Sequence, residues 1–210
     1  MSLHIGTDSV KGVYVGTDEV QKIYLGTDLV YSRGRRKTLL FSDTGVTGTA
    51  NPNYTIIGGA IKTVEATGTK INSTTFGDGF AKVGNALTGD FEAEFTFVEG
   101  GNIYYPDIAF LDSSNAVQFS VDHRQEVGTE NIGYTINCGG QQNVSLGPIT
   151  NGEVWKITRE GNKLSLLIND SVKMQFVGVP TTDVYFGWKT HSHASRWYRF
   201  RDLSIYKLEE

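Results

Sequence analysis

Along most of the chain, apolar and polar residues alternate in short runs and do not recur every three or four positions. Phe91, Ala93, Phe95 and Phe97 fall on one side of an extended segment, while Glu92, Glu94 and Thr96 fall on the other. The alternation returns in Trp155 and Ile157, in Leu164, Leu166 and Ile168, and in Val172, Met174 and Phe176. Between these runs stand Glu160-Gly161-Asn162 and Asn169-Asp170-Ser171, made of residues that suit tight hairpin turns. From Thr38 onward, such runs separated by Gly, Asn, Asp and Ser clusters predict about a dozen strands and no helix. Strands with one apolar face each pack as two antiparallel sheets, an all-β sandwich over residues 38–210.

Residues 1–32 follow another rule. Gly-Thr-Asp recurs at ten-residue intervals, as Gly6-Thr7-Asp8, Gly16-Thr17-Asp18 and Gly26-Thr27-Asp28, and the flanking residues repeat with it. Each unit predicts about four turn residues and about six extended ones, and together the units predict a β-meander. Val13, Val15, Ile23 and Leu25 would line one face, and Val10, Tyr14, Val20 and Tyr24 the other. Both faces are then apolar, and so small a sheet is marginal alone in water. The segment is therefore expected to pack on sister chains or within a larger assembly. Arg33-Gly34-Arg35-Arg36-Lys37 reads as a basic linker over residues 33–37.

Composition narrows the function. A formal charge of −4, with its basic residues clustered only in that linker, argues against nucleic-acid binding. No run is apolar enough for a membrane span, and Met1-Ser2-Leu3-His4 does not read as a secretory signal. The single cysteine, Cys138, excludes an internal disulfide, fits folding in a reducing cytoplasm and reads as a buried structural thiol.

Two resemblances follow from the wording of the chain. The tandem Tyr-Leu-Gly-Thr-Asp-x-Val units over residues 4–32 resemble N-terminal segments of tail and baseplate proteins of phages and prophages of low-GC Gram-positive bacteria. Trp155 to Asp170, with Gly89-Asp90-Phe91-Glu92-Ala93-Glu94-Phe95 before it and Phe200 to Tyr206 after it, resembles the concanavalin A-like lectins and glucanases. The second resemblance implies a jelly roll, and the first implies a virion protein assembled in the host cytoplasm. Together they imply a non-catalytic, receptor-binding tail or baseplate protein whose partners are a bacterial surface saccharide, other tail proteins and further copies of itself.

Catalytic and metal-binding patterns are incomplete in this chain. Glycanases of this fold carry a Glu-x-Asp-x-x-Glu strand, and Glu92 and Glu94 lack the third carboxylate, so an enzyme is not expected. Ser120-Val121-Asp122-His123 stands where legume lectins place a metal-binding Glu-x-Asp pair, and the first carboxylate is missing. His191 and His193 have no partner at matched spacing, so neither a metal nor another cofactor is expected. There remain loop aromatics and polar groups able to stack on and hydrogen-bond a sugar: Tyr104, Tyr105, Asp107, His123, Arg124, Trp188, His191, His193, Arg196 and Trp197. The alternatives are a purely structural tail protein and a glycan hydrolase of the same fold.

Overall fold

The computed structural model describes residues 4–5, 8–9, 14–15, 18–19, 22–25, 28–32, 35–47, 54–73, 79–101, 106–125, 132–138, 141–145, 149–190 and 197–209. Side chains are described for these except residues 4–32, 73, 101, 124–125, 132–133 and 141–145. Every regular element among them is a strand, so none is a helix long and apolar enough to cross a membrane. The chain divides into two units, Met1–Arg36 with Glu209–Glu210, and Lys37–Leu208.

The first unit holds three separate hairpins. They are β1 (His4–Ile5) with β2 (Asp8–Ser9), β3 (Tyr14–Val15) with β4 (Asp18–Glu19), and β5 (Lys22–Leu25) with β6 (Asp28–Ser32). Ile5 pairs with Asp8, Val15 with Asp18 and Leu25 with Asp28, so each repeat has the same register. The aspartates begin the return strands, and the Gly-Thr pairs before them lie outside the described residues.

The second unit contains β7 (Arg36–Asp43), β8 (Tyr54–Ile57), β9 (Ala60–Glu65), β10 (Gly68–Ser73), β11 (Gly79–Leu87), β12 (Phe91–Gly101), β13 (Asp107–Leu111), β14 (Val117–Gln125), β15 (Ile132–Asn137), β16 (Gln141–Ser145), β17 (Val154–Glu160), β18 (Lys163–Ile168), β19 (Ser171–Val177), β20 (Val184–Thr190) and β21 (Trp197–Glu209). The larger sheet runs β19-β18-β17-β12-β21-β10-β9, with β7 also paired to β21. The smaller runs β16-β15-β14-β13-β20-β11-β8. The strands from β8 to β21 pair antiparallel, and Val46 adds an isolated parallel bridge to Glu65 of β9.

One continuous core fills the space between the sheets. Phe91, Ala93, Phe95, Phe97, Trp155, Ile157, Leu164 and Leu166 enter it from the larger sheet, Phe110, Phe119, Ile136 and Phe186 from the smaller. Ile168 and Ser171 flank Asn169-Asp170, whose φ values of 48° and 60° are those of a type I′ hairpin turn. Val172 departs from the expected inward pattern and is 53% exposed. A bulge shifts the β18–β19 register between Leu166 and Leu167, so Met174 keeps its inward place and Val172 is turned out.

Arg159 follows Trp155 and Ile157 on the inward face of β17, yet it is a cation. It is 0% exposed, and its guanidinium donates to the carbonyls of Leu87, Gly89, Pro180 and Thr182 while lying 4.8 Å from the Phe91 ring centre. Those carbonyls belong to two connections between the sheets, so one side chain closes that end of the core. Cys138 is half-buried with Sγ 3.7 Å from the Gly178 carbonyl, and burial pushes its thiol pKa up. That is the opposite of what a nucleophilic cysteine needs.

Candidate saccharide-binding face

Four adjacent strands of the smaller sheet, β15, β14, β13 and β20, bring a polar cluster together. Val121, Tyr134 and Ile136 are buried in the core, so Ser120, Asp122, Thr135 and Asn137 stand on the outer face by alternation. Register aligns them laterally, with Ser120 opposite Asn137, Asp122 opposite Thr135 and Asp107 opposite Lys189.

Asp122 is the centre of the cluster. Its Oδ2 accepts from Ser120 Oγ and Asn137 Nδ2, each at 2.6 Å, and its Oδ1 lies 3.0 Å from Lys189 Nζ. Asp122 and Lys189 are each 13% exposed, which makes the pair less screened than a surface ion pair. Donation of Nδ2 to Asp122 fixes the orientation of the Asn137 amide. Its Oδ1 is then left as a buried acceptor that meets no donor among the described residues.

A second layer braces the first. Asp107 accepts from the backbone N–H of His123 at 2.5 Å, and both of its carboxylate oxygens lie 2.9 Å from His123 Nδ1. Tyr134 Oη donates to the Pro106 carbonyl at 3.0 Å, and Tyr198 Oη donates to the carbonyls of Asp107 and Lys189 at 3.1 and 2.9 Å. Burial first, and then the Asp107 charge, push the Tyr198 phenol well above its usual range, so it remains a donor. The result is a rigid constellation of one ammonium, carboxylates, an amide and hydroxyls, held before any ligand arrives. Such a set suits hydroxyl-rich ligands, because donors and acceptors alternate over a short distance. Among the described residues no group of three or more His, Cys, Asp or Glu is placed to hold a metal ion.

The structure redistributes the residues expected from sequence. Asp107 and His123 do meet, but with side chains 0% and 6% exposed they brace the face and do not contact a ligand. Trp188 is a core residue and not a stacking platform. It is fully buried, stacked on Phe200 at 4.0 Å and edge-on to Phe95 and Phe186 at 4.8 and 4.9 Å. Trp197 lies on the outer face of the larger sheet, between Lys70 at 4.6 Å and Arg199 at 5.1 Å from its ring centre. Arg124 sits on β14 opposite Gly133, with its side chain outside the description. Tyr104, Tyr105, His191, His193 and Arg196 lie outside the described residues. Ser120, Asn137 and Lys189 were missed as site residues. Their sequence signal was a polar side chain at an outward strand position, which any solvated strand also shows.

The comparisons with known proteins bear on the fold. No protein-family model matches the chain, and no curated protein matches it. Among solved structures, a legume lectin-like domain from Entamoeba histolytica is similar with a TM-score of 0.55 at 14% identity, over 74% of this chain and 90% of that one. The sandwich is a lectin-like jelly roll. A Crh5 transglycosylase is similar with a TM-score of 0.57 at 11% identity, over 80% of this chain and 83% of its own. The CBM2 module of the evolved Dit of Lactobacillus casei BL23 phage J-1 is similar with a TM-score of 0.53 at 9% identity, over 84% of this chain and 98% of the module. At such identities the lectin-like jelly roll is shared and nothing finer follows.

Proposed function

We propose that the protein is a non-catalytic glycan-binding component of a phage or prophage tail or baseplate, acting in the virion to attach to bacterial surface saccharide. The observation that carries the binding reading is the partly exposed Asp122–Lys189 pair with the Asn137 amide beside it on the outer face of the smaller sheet. Such a set offers a sugar hydroxyl donors and acceptors at once. The phage setting rests on the Gly-Thr-Asp repeat and on the likeness to a phage Dit module that spans nearly all of that module. The three hairpins, each too small to be stable alone, would join sister chains or other tail proteins. Several copies held together convert weak single sites into avidity.

The absence of catalysis is supported by the state of the two candidate carboxylates. Glu92 pairs with Lys37 at 2.6 Å, while Lys156 sits between Glu94 at 3.3 Å and Asp170 at 2.8 Å. Both glutamates stand on the outer face of the larger sheet, committed to ion pairs.

The test is retention of the purified full chain on immobilised cell-wall polysaccharide from Gram-positive hosts, with Asn137→Ala alongside. Retention that falls about tenfold in the variant, at unchanged melting temperature, is expected. No retention on any host polysaccharide sinks the binding reading, and release of reducing ends would replace it with a hydrolase. A strictly monomeric chain in solution removes the self-association part.

A further inference from the structure

The outer face of the larger sheet carries a cleft that is independent of the polar cluster just described. It encloses about 210 Å³ and is lined by Thr96, Phe97, Val98, Asn151, Gly152 and Arg201. Its origin is a pair of irregularities in adjacent strands. Strand β12 shifts register between Glu94 and Thr96 and again between Phe97 and Glu99. On its other side β12 keeps its register with β17, and Phe97 continues it into the preceding turn, donating its N–H to the Glu153 carbonyl at 2.9 Å and accepting from Gly152 N–H at 2.8 Å. Beside it, β21 bends at Asp202, a non-glycine residue with φ of 55° whose N–H donates to the Thr44 carbonyl at 3.2 Å. Bulges concentrate where a strand has to re-aim a side chain, and a left-handed non-glycine residue persists only where its surroundings hold it.

The side chain re-aimed here is Arg201. It is 51% exposed, and its ion pair with Asp202 uses only Nε, at 3.4 Å. The Nη edge of the guanidinium meets no acceptor among the described residues, and that planar fork is the group best matched to a carboxylate or phosphate. Thr96 and Asn151 add a hydroxyl and an amide, while Val98 contributes apolar surface beside the buried Phe97. The turn's own carboxylate, Glu153, bonds Thr150 and does not line the cleft. The space is below the usual range for drug-sized ligands and suits a single sugar unit.

We infer that this cleft is a second saccharide subsite, selective for one acidic sugar unit whose carboxylate or phosphate takes the Arg201 guanidinium while its hydroxyls meet Thr96 and Asn151. The subsite faces away from the Asp122 cluster, on the opposite sheet, so one sandwich would engage an anionic surface polymer from two sides.

The experiment is an amide-resolved NMR titration of the full chain with D-glucuronate, glucose 6-phosphate and neutral glucose, repeated on Arg201→Gln and on Asn137→Ala. At least one of the two acids should shift the amides of Thr96 and Gly152, whereas glucose should not. Which acid acts distinguishes a uronic from a phosphate-bearing polymer. Arg201→Gln should weaken the response at least tenfold, and Asn137→Ala should leave it unchanged, which separates this subsite from the face on the smaller sheet. The proposal is overturned if glucose shifts the same amides equally, if Arg201→Gln binds like the parent, or if none of the three ligands moves them.

Discussion

Replacing Arg159 by Met tests whether one buried cation closes the end of the sandwich. The side chain is 0% exposed and its donors reach four main-chain carbonyls, two of them at 2.9 Å, from Nε to Gly89 and from Nη1 to Thr182. Burial lowers the guanidinium pKa, with Asp90 and Asp183 pulling it back up, but arginine starts so high that it stays charged at neutral pH. Methionine keeps most of the aliphatic volume on Phe91 and removes all the donors. Each charge-assisted bond is worth roughly 1.5–3 kcal/mol net, and the carbonyls left behind are costly wherever water cannot reach them. Relief from burying the cation offsets part of this, so the expected loss is about 3–5 kcal/mol, the range for breaking a buried charged network. For a chain of this length that lowers the melting temperature by about 6–20 °C. Urea unfolding followed by tryptophan fluorescence measures it, with Arg159→Lys expected in between because an ammonium lacks the fork. A loss under about 1 kcal/mol for Arg159→Met would refute the reasoning, since it would mean that the carbonyls find other donors.

Three further outcomes follow from the same structure. Trp188→Ala should cost about 3–5 kcal/mol in denaturant unfolding, since its ring is a full member of the core; a variant that loses glycan retention with no loss of stability would restore Trp188 as a contact residue. Gly79→Ala should destabilise by about 1–3 kcal/mol, because its Cβ would come within 2.6 Å of the Ala60 main-chain nitrogen, and an unchanged melting temperature would contradict that packing. Burial and, second, the charge of Asp43 raise the Tyr54 phenol, and burial with Asp107 raises that of Tyr198. Both contributions are complete below the unfolded tyrosine pKa of about 10 and are lost as pH rises through the folded values, so stability should fall only above that point. Absorbance titration at the phenolate band should then show these two tyrosines ionising together with unfolding, and their free titration near the ordinary value would disprove it.

How much of this was legible beforehand follows from what alternation encodes. Phe91 to Phe97, Trp155 to Ile157 and Leu164 to Ile168 reached the core as read, because which face a strand residue takes is decided by its immediate neighbours. The turn at Asn169-Asp170 was equally local, since both residues tolerate positive φ at low cost. Val172 failed for a reason lying outside its own strand. The shift that turned it out is a mismatch with β18, and a one-residue slip sends a side chain to the other face whatever its hydrophobicity.

The polar cluster was less legible because it is lateral. Asp107, Asp122, Asn137 and Lys189 come from four strands, and nothing local to any of them shows that β13 lies between β14 and β20. A reading confined to one chain segment at a time favours loop aromatics, and for Trp188 that preference selected a residue of the core. Its true partners, Phe95, Phe186 and Phe200, come from both sheets. Asp107 and His123 were both singled out from the sequence, and their bond places the end of β13 against β14 and so sets Lys189, which pairs with Asp107, within reach of Asp122. Loosening that brace should therefore disturb the Asp122–Lys189 pair without touching either residue, because the effect is carried through the sheet.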